Sequence, residues 1–165
     1  MRKVLLAAAA TLAHAAVEVL VNGGFDDIGT AVPEGWGGLT YYVGGPVTLP
    51  GWTVEAGSVD LTHTNSVWGP SADGLYSLDI NGWSQGTIAQ SFATILGRLY
   101  TVSFAYSRNP ANAPFIATAT VSAGGESEGV TALGDGSFGG LSSMDWERGG
   151  FTFVGTGETE TLRLA

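Results

Sequence analysis

The sequence predicts an all-β protein, an antiparallel two-sheet sandwich of jelly-roll type, and three observations carry that prediction. Apolar and polar residues alternate with a period of two in one short run after another. Glycine, 26 of 165 residues, recurs so often that beyond the first fifteen residues no window of helical length is free of turn formers. Turn-rich segments such as "TNSVWGPSADG" and "ALGDGSFGGLSS" separate the runs. Eight or so short strands spaced in this way suit two packed antiparallel sheets.

The first element is not part of that domain. Arg2 and Lys3 precede the apolar run "VLLAAAATLA", and Ala13-His14-Ala15 fits the small-residue cleavage rule. Residues 1–15 therefore read as a secretory signal peptide, too short for a membrane span, with cleavage after Ala15. The remainder, 16–165, reads as one domain with no other apolar run of membrane length.

Within that domain the alternation assigns faces. In "YSLDI", Tyr76, Leu78 and Ile80 point one way and Ser77 and Asp79 the other. In "TIAQSFA", Ile88 and Phe92 share a face with Gln90 between them. In "LYTVSFAY", Tyr100, Val102, Phe104 and Tyr106 oppose Thr101, Ser103 and Ala105. Shorter runs, "WTVE", "SVDLT", "FIATATVSA", "FTFVG" and "TLRLA", repeat the pattern. The last run alternates as a strand and then stops, which predicts a sandwich lacking a final C-terminal strand.

Charge narrows the partners. Residues 16–165 keep four arginines, no lysine and fifteen acidic residues, a formal charge of −11. A nucleic-acid backbone or an anionic membrane surface demands a cationic footprint, so neither is expected. Uncharged partners, or cations such as calcium, suit the surface better. No cysteine is present, so neither a disulfide framework nor thiolate chemistry is available. About 150 residues bury about 70% of their unfolded surface, enough for a core without staples.

Gly82-Trp83-Ser84-Gln85-Gly86 is a literal G-x-S-x-G, the spacing of a nucleophile elbow. An elbow needs a strand, a sharp turn and then a helix, followed later by an acid and a histidine. Here "TIAQSFAT" follows, alternating and β-branched. The two histidines, His14 and His63, both precede Ser84. The order required of a triad is absent, and no enzyme is expected. The motif reads instead as a connection between two antiparallel strands, its glycines supplying turn conformations.

Trp83 then stands in a polar loop. Aromatic faces stack on the C–H faces of sugars while amides and carboxylates bind hydroxyls, so Trp83, Asn81, Asp79 and Trp68 are the candidate carbohydrate-binding edge. The competing reading folds Trp83 back over the end of the sandwich. Trp36 is a weaker case of the same kind, whereas Trp52 and Trp146 read as packing residues. Asp60 and Asp79 could in principle form a glycosidase pair, but in so acidic a chain they read as solubilising surface carboxylates. His63, without a second His or Cys nearby, reads as a locally bonded imidazole, and Arg108 as a partner for one of many carboxylates.

"LVNGGFDD", "LPGWTVEAGSVDL", "ADGLYSLDINGWSQGTIAQSFAT", "GRLYTVSFAYSRNP" and "ATVSAGG" occur in that order from about Leu20 onward. Together they resemble bacterial choice-of-anchor C proteins and the related DUF642 domains, secreted sandwiches of galactose-binding-domain-like fold. The resemblance implies an extracellular setting and the binding of cell-wall or matrix polysaccharide. By position, the family's N-G-[SG]-F-E pattern falls on Asn22, Gly23, Gly24, Phe25 and Asp26, with Asp in place of Glu. In similar sandwiches that acid helps hold a structural calcium with a carboxylate from a final D-N-V motif, which this chain does not reach. The resemblance thus implies calcium on Asp26, Asp27 and Asn22; the alternative is that both aspartates are solvated turn residues, since six to eight oxygen ligands are not evident here.

The sequence therefore predicts a secreted, non-catalytic module that binds polysaccharide. The alternatives are a structural or adhesive envelope protein without glycan binding, and more remotely a glycoside hydrolase or esterase.

Overall fold

The computed structural model describes residues 4–9, 18–35, 37–66, 69–109, 116–133 and 144–165. Among these there are eleven strands and no helix. They are β1 (Val4–Ala9), β2 (Gly38–Tyr42), β3 (Thr53–Ala56), β4 (Ser58–His63), β5 (Tyr76–Asp79) and β6 (Thr87–Ala93). There follow β7 (Leu99–Arg108), β8 (Ile116–Ala123), β9 (Glu126–Leu133), β10 (Glu147–Val154) and β11 (Thr159–Leu164). Two sheets form, in the orders β10-β7-β1-β5-β4-β2 and β3-β6-β11-β8-β9, and each paired set of strands is antiparallel. This is the all-β sandwich that the alternation predicts.

Period-two burial explains the core. Val59, Leu61, Leu78 and Phe104 point inward from the six-stranded sheet, and Ile88, Val121, Leu162 and Leu164 from the five-stranded one. A buried side chain of this size contributes about 1.5–3 kcal/mol, so an alternating strand gains most by facing one layer inward. The tract before β2 adds Phe25, which is fully buried at φ +63° with its ring 5.3 Å from that of Trp52. Trp52 is itself buried and donates its indole N–H to the Asn22 carbonyl at 3.0 Å. It is a packing residue, as expected.

Several details depart from the sequence reading. β5 and β6 lie in opposite sheets. The segment between them is therefore a corner that carries the chain from one layer to the other, not a hairpin. β2 and β9 are strands that the patterning missed. β9 alternates only in its second half, where Val130 and Ala132 are buried, and its first half is the Glu- and Gly-bearing "ESEG" of an edge strand. Charge on an edge is how sheets discourage further pairing, and it erases the apolar signal. Within the five-stranded sheet β11 lies between β6 and β8. In the full chain Val4–Ala9 runs between β5 and β7.

Candidate binding site

The corner between β5 and β6 presents Trp83 to solvent, 71% exposed. Its backbone is anchored from beneath. Ser58, the first residue of β4, is buried, and its hydroxyl accepts the N–H groups of Trp83 (2.9 Å) and Ser84 (3.2 Å). The Ser58 carbonyl accepts the Gly82 N–H at 3.2 Å, and the Ile80 carbonyl accepts the Gly86 N–H at 2.7 Å. One serine thus fixes three consecutive amides of the loop.

The two glycines of the G-x-S-x-G serve close approach, not turn conformation. Neither has a positive φ. A Cβ at Gly82 would stand 2.8 Å from Asp60 Oδ1 and 3.0 Å from Ser58 Oγ, and one at Gly86 would stand 2.5 Å from the Ser58 carbonyl oxygen. The expected turn role is corrected here: glycine is needed because the corner lies directly on β4. Ser84 is followed by strand β6 where an elbow would have a helix.

Asp79 and Asn81 lie under the corner, not on its surface. Asp79 points away from Leu78, as alternation requires, yet is only 1% exposed. Its Oδ1 accepts the Asn81 N–H at 3.0 Å, and its Oδ2 accepts the Asn109 side-chain amide at 2.9 Å. Asn81 is buried too. The expectation of Asp79 as an outward, solubilising carboxylate is corrected, because β1 pairs alongside it and the segment after β7 brings Asn109 across to it. Asp60, half-buried, is its cross-strand neighbour. The polar side chains that share the surface with Trp83 are those of Ser84 and Gln85, both exposed. Trp68 and Trp36 lie outside the described residues.

The proposed calcium residues form a hydrogen-bonded loop. Asn22, at φ +55°, accepts the Asp27 N–H on Oδ1 at 2.9 Å and donates its amide to the carbonyls of Asp27 (2.8 Å) and Pro50 (3.1 Å). Asp27 Oδ1 accepts the Gly29 N–H at 2.9 Å. Asp26 Oδ1 accepts the N–H groups of Leu75 (2.7 Å) and Tyr76 (3.2 Å), which ties the tract to the start of β5. Each residue therefore gives one oxygen to backbone N–H groups. A calcium shell of six to eight oxygens would need completing from carbonyls and water. Among the described residues no group of three or more His, Cys, Asp or Glu side chains is placed to hold a metal ion.

Elsewhere, the His63 imidazole accepts the Asn65 N–H on Nδ1 at 3.1 Å and meets the Tyr76 ring edge-on at 5.0 Å. Trp146 is half-buried and donates its indole N–H to the Pro70 carbonyl at 3.0 Å. Arg163 pairs with Glu55 at 2.9 Å on the outer face of the five-stranded sheet. Sequence reasoning missed Ser58. Its partners lie about 25 positions away in the chain, and nothing local in "EAGSVD" marks a serine that will anchor a distant loop.

A family model described as "Protein of unknown function (DUF642)" matches residues 18–165. The chain belongs to the DUF642 family. No curated protein and no solved structure matches it. The DUF642 match takes in β2 to β11, the Asn22–Asp27 loop and the Trp83 corner, while β1 precedes it.

Proposed function

We propose that this DUF642 protein is a secreted, non-catalytic module that binds an uncharged cell-wall or matrix polysaccharide at the Trp83 corner. The observation that supports this most is the combination of exposure and anchorage. Trp83 is 71% exposed, yet the backbone that carries it is fixed by a buried serine and two close-packed glycines. A pre-positioned aromatic loses little freedom when it stacks on a sugar ring. Ser84 and Gln85 beside it supply hydroxyl-binding groups, and Asp79 and Asn81 act as positioning residues beneath. Asp79 already accepts hydrogen bonds from Asn81 and Asn109, an engagement that favours a positioning role over hydrolysis.

The test is retention on native gels containing neutral or acidic polysaccharides, run on the exported protein with calcium and with a chelator. Retardation by a neutral glycan, lost in Trp83→Ala, supports the module, and loss on chelation adds calcium at the Asn22–Asp27 loop. Unchanged migration of folded protein in every gel contradicts it.

One observation favours the adhesive alternative. At the opposite end of β6, Ile95, Leu96, Leu99 and Val154 are all more than half exposed, with Leu99 and Val154 paired across β7 and β10. Such an apolar tip suits contact with another protein. Self-association abolished by Leu96→Ser, without glycan retention, would favour that reading.

A further inference from the structure

Tyr42, the last residue of β2, is 48% exposed, and two backbone ties place it beside the Trp83 corner. In the register of β2 on β4, Tyr42 stands opposite Ser58, the residue whose hydroxyl accepts the Trp83 and Ser84 N–H groups. Opposed residues of paired antiparallel strands share a face, with Cβ atoms about 4.5–5.5 Å apart. Alternation says which face: Tyr41 and Val59 are buried in the core, so Tyr42 and Ser58 point away from it. The second tie runs through Gly57. Its carbonyl accepts the Val43 N–H at 3.1 Å, and at φ +56° it has no room for a Cβ against the Gln85 carbonyl. The residue after Tyr42 and the loop that carries Trp83 thus meet on one glycine.

We propose that Tyr42 is a second stacking platform of the same site, so that the ligand is a chain of two or more neutral sugars crossing Ser58, and not a single terminal sugar. The inference rests on the reading of the Trp83 corner as a glycan site. Three observations carry it. First, Tyr42 is pre-positioned, as Trp83 is. Its backbone is held by the β4 ladder and by a tight turn, in which the Gly45 N–H donates to the Tyr42 carbonyl at 3.0 Å and Gly44 takes φ +65°. A tyrosine on a fixed backbone has only two side-chain torsions to order on binding. Second, the two aromatic residues belong to different backbone segments, with Ser58 between them. One sugar face stacks on one ring, so covering both takes consecutive sugars. Third, charge is absent from the surface that joins them. The chain has fifteen acidic residues, yet residues 42–46, 57–58 and 81–86 contain no acidic or basic side chain. A uronate or sulfate would find no cation there, whereas hydroxyls and C–H faces meet Ser84, Gln85 and the two rings.

The test uses native gels containing galactomannan, xyloglucan or laminarin, with melting temperatures measured on the same samples. Retardation of the wild-type protein by one of these is expected to weaken at least about tenfold in Tyr42→Ala, as for an aromatic hot spot. Tyr42→Phe, which keeps the ring, is expected to bind as the wild type does, and the melting temperature to be unchanged in both. Competition by fragments of the retained polymer reads the chain length. Its tetrasaccharide is expected to release wild-type protein at a concentration at least about tenfold below that of its monosaccharide, and this advantage is expected to vanish in Tyr42→Ala. If Tyr42→Ala binds as the wild type does while Trp83→Ala fails to bind, the second platform is overturned and the Trp83 site stands. Equal competition by the two fragments overturns the chain reading. Unretarded migration of folded wild-type protein in all three gels overturns the Trp83 site and the second platform together.

Discussion

Trp83 owes its orientation to an atom far from it in sequence. The Ser58 hydroxyl accepts two N–H groups of the corner, and Gly82 lies against it with no room for a Cβ. Removing that hydroxyl leaves two amides without their acceptor, at a cost of about 1–3 kcal/mol for buried donors. Ser58→Ala is therefore expected to lower the melting temperature and to weaken glycan binding together, as calorimetry and affinity electrophoresis would show. Unaltered binding in a destabilised Ser58→Ala protein would mean that the corner needs no anchor. At this scale the sequence was legible in part. Trp83 stood out as a large aromatic among polar residues, and Trp52 as a packing residue. Ser58 did not stand out, because tertiary contacts alone define it, and Asp79 looked exposed because alternation reports direction and not what later covers the face.

Strand β6 shows how one element joins a layer to the N-terminal tract. Gln90 lies on its inward face between Ile88 and Phe92, as the alternation requires, and is nearly fully buried. Its amide pairs with both backbone groups of Val21, accepting N–H at 2.6 Å and donating to the carbonyl at 2.8 Å. A buried amide so satisfied is tolerated, whereas an apolar replacement strands two backbone groups. Gln90→Leu is expected to cost about 2 kcal/mol and to loosen the tract before β2, read as faster amide exchange at Val21 and its neighbours. Equal stability and exchange would show that the pairing contributes little. Elements with full alternation, such as β5, β7 and β8, were legible in the sequence. The edge strands β2 and β9 were not, since half of β9 faces solvent and carries glutamates.

For the whole molecule, burial also sets a limit at alkaline pH. Tyr41 is buried, and desolvation first, then the neighbouring Tyr76 and Asp27, raise its pKa from 10.0 to about 12. Above pH 10 the unfolded chain releases this proton more readily than the folded one. The stabilisation is therefore complete below about pH 10 and is lost as pH rises from there toward 12. Tyr41→Phe is expected to move the alkaline unfolding midpoint upward, followed by tryptophan fluorescence between pH 9 and 12. A midpoint unchanged by the substitution would assign alkaline unfolding to other groups. The two-sheet architecture was legible from period and glycine spacing, but the pairing order was not, because strands from distant parts of the chain become neighbours.

The measurement that bears most directly on the central claim is the affinity of wild-type and Trp83→Ala protein for one retained neutral polysaccharide, with melting temperatures measured in parallel. An exposed stacking residue contributes to binding and little to folding. The expected result is a loss of at least about tenfold in affinity, as for an aromatic hot spot, with the melting temperature unchanged. Equal affinity in the two proteins would contradict the assignment of the Trp83 corner as the binding site.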